Sequence, residues 1–211
     1  LDARLPAGPE SLRQAAFAGL QDSMPRAALL SIHARVAGTR PGGWEHPALV
    51  QLWGPRFSAY VVAAEDLAVF SLGRLPEEPR ARARAGSTAE RLRLTLDGQR
   101  LPFGQAGRAM GVVPNSLRYA AATGTVLLRW DGARQPLIWT VPPPAMEPIQ
   151  ARLELARRFL HVFGPSTDAA FAKWAGIRGA EAHRAFQALG GELAPTRSEE
   201  HTSELQSHHD L

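Results

Sequence analysis

At 211 residues, 45% of them hydrophobic, the chain is long enough for one or two domains with real cores, and no apolar run in it approaches the length of a membrane span. It has no cysteine, which excludes disulfides, a thiol nucleophile and thiolate-held zinc or iron–sulfur centres and fits a cytoplasmic location. The net charge is +4, or +7 once residues 197–211 with their one arginine and four carboxylates are set aside. Every cation but Lys173 is an arginine, a side chain suited to bidentate contact with phosphate or guanine, although genome composition alone would give the same bias.

In chain order, residues 9–20 (PESLRQAAFAGL) place Leu12, Ala16 and Leu20 on one face of an amphipathic helix. A second helix is expected from near Ser23 to Val36, with Pro25 in its first turn and Leu29, Leu30, Ile32, His33 and Val36 facing inward. His33 reads as a packed histidine rather than a ligand. Residues 44–53 (WEHPALVQLW) read as a third helix interrupted near Pro47, residues 57–62 as a strand and residues 65–72 as helix again. Residues 76–90 read as a charged connection, and residues 89–96 as a helix leading into the next motif.

That motif spans residues 103–141. FGQAGRAM is helix-compatible and ends at Gly111; Pro114 suits the first position of a second helix, NSLRYAAAT, which stops at Gly124. Val126, Leu128 and Trp130 then alternate with polar or opposite-face positions, Asp131-Gly132 signals a tight turn, and Leu137, Trp139 and Val141 resume the alternation. Helix, turn, helix, hairpin is the winged-helix order, in which the second helix enters a DNA major groove and the hairpin follows the backbone. Leu117 and Ala121 are expected to pack inward, leaving Asn115, Ser116, Arg118, Tyr119 and Ala122 to the partner, with Arg129 and Arg134 flanking the hairpin tip. Trp130 and Trp139 read as hairpin core.

The stiff PPPAMEP run at residues 142–148 marks a boundary. Beyond it an amphipathic helix at 149–163, a Ser/Thr cap in GPST, and helices at 167–175 and 179–189 repeat the pattern, with residues 192–196 beginning a wing. From Arg197 the segment RSEEHTSELQSHHDL resembles the translation of a sequencing-adapter read-through and is expected to be a disordered, non-native tail. The expected fold is therefore α+β and mainly helical, with tandem winged helix-turn-helix units at 1–75, 76–145 and 146–196, the last of them truncated, as in an amino-terminal fragment.

Three stretches carry a family resemblance: GLQDSMPRAALLSIHARV (19–36), LVQLWGPRFSAYVVAAEDL (49–67) and ARLELARRFLHVFGPSTDAAFAKWAGI (151–177), together with the VLLRWDG wing (126–132). They resemble a family of bacterial winged-helix DNA-binding proteins that includes the interstrand-crosslink-repair DNA glycosylases, whose full proteins continue into a further carboxy-terminal part. The resemblance implies a Gln-x-Gln or Gln-x-Asp motif at the modified nucleotide. Gln21 stands at its first position and Ser23 at its second, with Asp22 between them. It also sets Arg56-Phe57-Ser58-Ala59-Tyr60 where family members often carry Arg-Gly-Thr-Leu-His, so that Arg56 matches and Tyr60 replaces the histidine.

The expected partner is double-stranded DNA, damaged where the glycosylase reading holds. Two alternatives stand beside that reading: a non-catalytic or regulatory DNA-binding protein, and a winged-helix protein-interaction module. No phosphate-cradling glycine motif occurs, and His33, His46, His161 and His183 lack metal-ligand spacing, so neither cofactor nor metal is expected.

Overall fold

The computed structural model describes residues 4–24, 26–40, 45–130, 135–194 and 196. Its elements are α1 (Pro9–Ala15), β1 (Leu20–Gln21), α2 (Ala27–Arg35), β2 (Leu49–Trp53), β3 (Ala59–Ala63), α3 (Leu67–Leu72), α4 (Pro79–Leu96), β4 (Leu101–Pro102), α5 (Phe103–Ala109), β5 (Val126–Arg129), β6 (Leu137–Thr140), α6 (Pro148–Phe163), α7 (Asp168–Ala175) and α8 (Gly179–Ala188). Short 3₁₀ segments fall at Pro55–Phe57, Ala64–Asp66 and Gly190–Glu192, and a longer one at Pro114–Thr123. The class is α+β, 55% helical, with two small antiparallel sheets.

The first helix stops at Ala15 instead of reaching Leu20. Gly19 turns the chain at φ +74°, and a Cβ there would come within 2.8 Å of Phe70 and 3.0 Å of Tyr60, so the turn requires glycine. Leu20 and Gln21 then extend and pair antiparallel with Val61 and Tyr60. From α2 and the residue that ends it, Ala28, Leu29, Ile32 and Val36 reach the core, the last three spaced i, i+3, i+7. Leu30 is 72% exposed and His33 is also at the surface, its Nδ1 lying 3.1 Å from the carbonyl and hydroxyl oxygens of Thr39. Both residues thus lie off the expected inner face, because the helix covers the first sheet with one narrow stripe.

Residues 49–53 are strand rather than helix. LVQLW is short and apolar, a pattern whose period cannot separate the two, and five consecutive pairs from Leu49↔Ala63 to Trp53↔Ala59 decide for the sheet order β1-β3-β2. The expected connection at 76–90 is likewise largely helix, since α4 starts at Pro79. The Glu78 carboxylate accepts from the N–H groups of Arg80 and Ala81, both at 2.8 Å, and Ala85, Ala89, Leu92 and Leu96 form a buried stripe beneath an arginine-covered outer face.

The helix at α5, the hairpin β5–β6 and its pairing, Val126↔Thr140 to Arg129↔Leu137, agree with the sequence reading, and β4 adds a third strand to give the order β4-β6-β5. Asp131-Gly132, the expected turn, and Arg134 lie outside the described residues, as do Pro25, Trp44 and the tail from Arg197. Residues 114–123 form 3₁₀ rather than α-helical turns. Ser116 and Thr123 each donate a hydroxyl hydrogen bond to the carbonyl three residues back, Val113 and Ala120, at 2.7 Å, which matches the tighter winding. The change of period buries Ala122 with Leu117, Ala120 and Ala121, so Ala122 is not available to a partner.

In the last third, Thr167 caps α7, its hydroxyl accepting from Ala170 N–H at 3.2 Å. Residues 193, 194 and 196 carry no strand, and Glu192 is held by Arg157 in a paired bond at 2.7 Å. One core joins the first sheet to α3, α6, α7 and α8; a second lies among α4, α5, the 3₁₀ segment and the hairpin; a third lies under α1 and α2. The strands β2 and β5 run beside each other, so the two sheets meet at one seam.

Candidate functional site

The seam carries the sequence motif at its edge. Because Gln21 pairs with Tyr60 and Asp22 N–H donates to Ala59 O at 2.8 Å, the Gln21-Asp22-Ser23 segment is fixed alongside β3. Gln21 and Ser23 face outward: the Gln21 amide donates to Ser23 Oγ at 3.2 Å and accepts from the Arg56 guanidinium at 3.4 Å. The structure therefore brings together three of the residues singled out from sequence.

Asp22 points the other way and is buried. One oxygen accepts from Ala28 N–H at 3.0 Å at the start of α2, and the other accepts from Gln51 Nε2 at 2.6 Å. Burial raises its pKa above the ordinary aspartate value, against those hydrogen bonds. Gln51 completes a relay, since its carbonyl accepts from Trp130 N–H at 2.6 Å. A buried Asp22–Gln51–Trp130 chain thus ties the motif to the hairpin. Sequence reading missed Gln51, because a polar residue in an apolar strand signals burial only when its partners are known.

Beside Ser23 opens a cavity of about 330 Å³ whose walls include Trp53, Phe57, Phe103, Trp130 and Arg118. Arg118 turns inward from the 3₁₀ segment to lie 6.0 Å from the centre of the Trp53 ring and 5.7 Å from that of Phe103, with Nη1 donating to Phe57 O at 3.4 Å. Its Nε is the one buried side-chain polar atom without a hydrogen-bond partner among the described residues. Such a donor costs roughly 1–3 kcal/mol, and the cation beside it favours an acceptor or anion in the cavity. Gln135 roofs the far side and is itself fixed, its carbonyl accepting from Gly104 N–H at 2.9 Å.

The loop that carries Arg56 is strained. Arg56 and Phe57 both adopt left-handed backbone, at φ +55° and +57°, a conformation costing a non-glycine residue roughly 1–2 kcal/mol. The turn after α7 packs against this loop through Gly176, where a Cβ would sit 3.2 Å from Arg56 N. Tyr60 beneath it is buried, which raises its pKa against the charges of Arg56 and Arg74.

The remaining candidates separate. Asn115 is exposed, Ser116 caps its own turn, and Tyr119 faces a different hollow with Arg84 over its ring at 4.9 Å. Arg129 is ion-paired with Glu45. No group of three or more His, Cys, Asp or Glu side chains that could hold a metal ion occurs among the described residues, and none of their helices is long and apolar enough to cross a membrane.

Residues 13–210 match the sequence pattern of the family described as DNA glycosylase AlkZ-like. The chain belongs to the AlkZ-like DNA glycosylase family. It also shares its fold with the Streptomyces sahachiroi DNA glycosylase AlkZ, at a TM-score of 0.66 and 16% identity, over 92% of this chain and 62% of that one. The chain thus spans less than two thirds of that protein's length. No curated protein matches it.

Proposed function

We propose that this protein is a DNA-repair glycosylase-like protein that binds duplex DNA through an arginine-rich face and acts on an alkylated or crosslinked base at Gln21 and Ser23. The observation that carries the reading is the Gln21–Ser23–Arg56 cluster at the mouth of an aromatic cavity containing an arginine with an unpaired donor, in a chain of this family. In this reading residues 76–145 form a winged helix-turn-helix, the units before and after it are variations on the same plan, and Asn115, Ser116, Tyr119 and Arg129 lie toward the duplex.

The chemistry follows from what the cluster lacks. Gln21 and Ser23 do not ionise near neutral pH, and the carboxylate between them is buried with both oxygens engaged. Deprotonation of water by a strong base is therefore not available from this set. An alkylated purine needs less help, because its positive charge already weakens the glycosidic bond. The Gln21 carbonyl, fixed by Arg56, orients a water toward the developing oxocarbenium carbon, and Ser23 holds the amide in place. Asp22 acts as a positioning residue, setting the strand from which Gln21 projects.

Release of an N7-alkylated guanine from a synthetic duplex tests the reading. Base release above the spontaneous rate supports it, and an untouched duplex bound at the same affinity as a normal one shifts the reading to the non-catalytic DNA-binding protein.

A further inference from the structure

Phe57 is a wall of the cavity beside Ser23 and also of a second, larger hollow of about 570 Å³ between α4, the 3₁₀ segment and the start of α8. Nothing in the glycosylase reading uses this hollow. Its cations are Arg74, Arg80, Arg84 and Arg178, and its carboxylates are Glu78 and Glu181. Both acids are engaged: Glu78 caps α4 and lies 3.9 Å from Arg178, while Glu181 accepts from Glu77 N–H at 2.8 Å and Arg178 N–H at 3.2 Å. Arg80 and Arg84 have no carboxylate partner among the described residues.

Arg74 makes the charge excess deeper. It is 4% exposed, donates to the carbonyls of Ala175 and Trp53 at 2.8 Å each, and lies 5.1 Å from the centre of the Phe57 ring, again without a carboxylate. A buried guanidinium balanced only by carbonyl dipoles and a ring face leaves positive potential in the hollow. The floor is aromatic: Phe57 meets Tyr119 edge-on at 5.4 Å, and Tyr119 is 45% exposed under the Arg84 guanidinium.

Unpaired cations above an aromatic floor fit one chemistry in particular, a phosphate attached to a planar base. Paired DNA presents no base face, whereas an unpaired nucleotide presents both groups at once. The hollow is large enough for one, and Phe57 holds it one residue away from the Gln21 side. We propose that this hollow takes an unpaired nucleotide of the bound DNA, its base against Arg84 and Tyr119 and its phosphate on Arg80 and Arg84. The proposal rests on the DNA-binding reading above and adds to it a second nucleotide site.

The test is fluorescence anisotropy of the whole chain with a duplex carrying one extrahelical 2-aminopurine, against the same duplex without it. Wild type is expected to bind the bulged duplex about tenfold more tightly and to quench its fluorescence, as base stacking on an aromatic platform does. Arg84→Ala and Tyr119→Ala, both at exposed positions, should each bring that ratio toward one. Equal affinities for the two duplexes in wild type overturn the proposal. So does a preference that survives both variants but is lost on Trp130→Ala, which would put the nucleotide in the cavity beside Ser23, or one that millimolar inorganic phosphate erases while both variants retain it, which would mean an anion site only. A chain that shows the ratio but releases no alkylated base loses the glycosylase reading and keeps this one; base release without the ratio does the reverse.

Discussion

The Gln51 side chain sits where the two sheets meet, and its hydrogen bonds add to the apolar packing across that seam. Replacing it with leucine keeps the volume and removes both bonds, leaving the Asp22 carboxylate and the Trp130 N–H buried with fewer partners. We expect Gln51→Leu to cost about 2–4 kcal/mol at neutral pH, measured by denaturant unfolding. The pH dependence has a definite sign. Asp22 already has a raised pKa, so the folded state binds its proton more readily than the unfolded chain, and between the two values stability falls as pH rises. Loss of the Gln51 bond raises it further. The gap between Gln51→Leu and wild type should therefore narrow as pH falls from neutral toward the ordinary aspartate range; a gap independent of pH would remove Asp22 from the relay. At this scale the sequence exposed only part of the site. Gln21, Ser23 and Arg56 were legible from the resemblance, and Arg118 from its place after Pro114. Its inward turn was not legible, because a 3₁₀ winding cannot be told from an α-helical one by composition, and side chains then face different neighbours. The Asp22 bond to the start of α2 was legible as an alternative to catalysis, since an Asp shortly before a helix is a common way to satisfy its first N–H groups.

Among elements, α4 shows how local rules compete. Its first half is alternating Arg and Ala, which carries no hydrophobic stripe of ordinary strength and so reads as a solvated connection, yet both residue types are strong helix formers and Glu78 with Pro79 starts the helix. Gly86 interrupts it at an exposed position where a Cβ would meet nothing within 4 Å. Gly86→Ala should stabilise the protein by about 0.5–1 kcal/mol and raise its melting temperature; an unchanged or lowered value would mean that the interior of α4 is not helical. The strand β2 failed the sequence reading for the opposite reason, being too short for a period and decided by its partner β3. The hairpin β5–β6 succeeded because alternation and turn residues agreed, and the α6–α8 region because apolar spacing, the Thr167 cap and Gly176 all pointed to the same boundaries.

On the scale of the whole molecule, the arginine excess is spent in two ways. Arg152 and Arg158 are internal struts: Arg152 is 1% exposed and binds Glu77 with the carbonyls of Gly73 and Leu75, and Arg158 joins Asp66, Glu154 and Phe17 O. Neither is available to DNA, so net charge alone overstates the number of phosphate contacts. Others, Arg80 and Arg84 among them, remain at the surface. If six or more of these contact phosphate, duplex affinity should fall by about 10³-fold between roughly 50 and 200 mM salt, and a flat salt dependence would favour the protein-interaction alternative. The central claim is that Gln21 works on a damaged base, and single-turnover release of N7-alkylated guanine by wild type and by Gln21→Ala tests it most directly. We predict a rate loss of about 10²–10³-fold in the variant with duplex affinity retained, as for removal of one transition-state hydrogen-bonding group; equal rates in the two proteins would contradict the account.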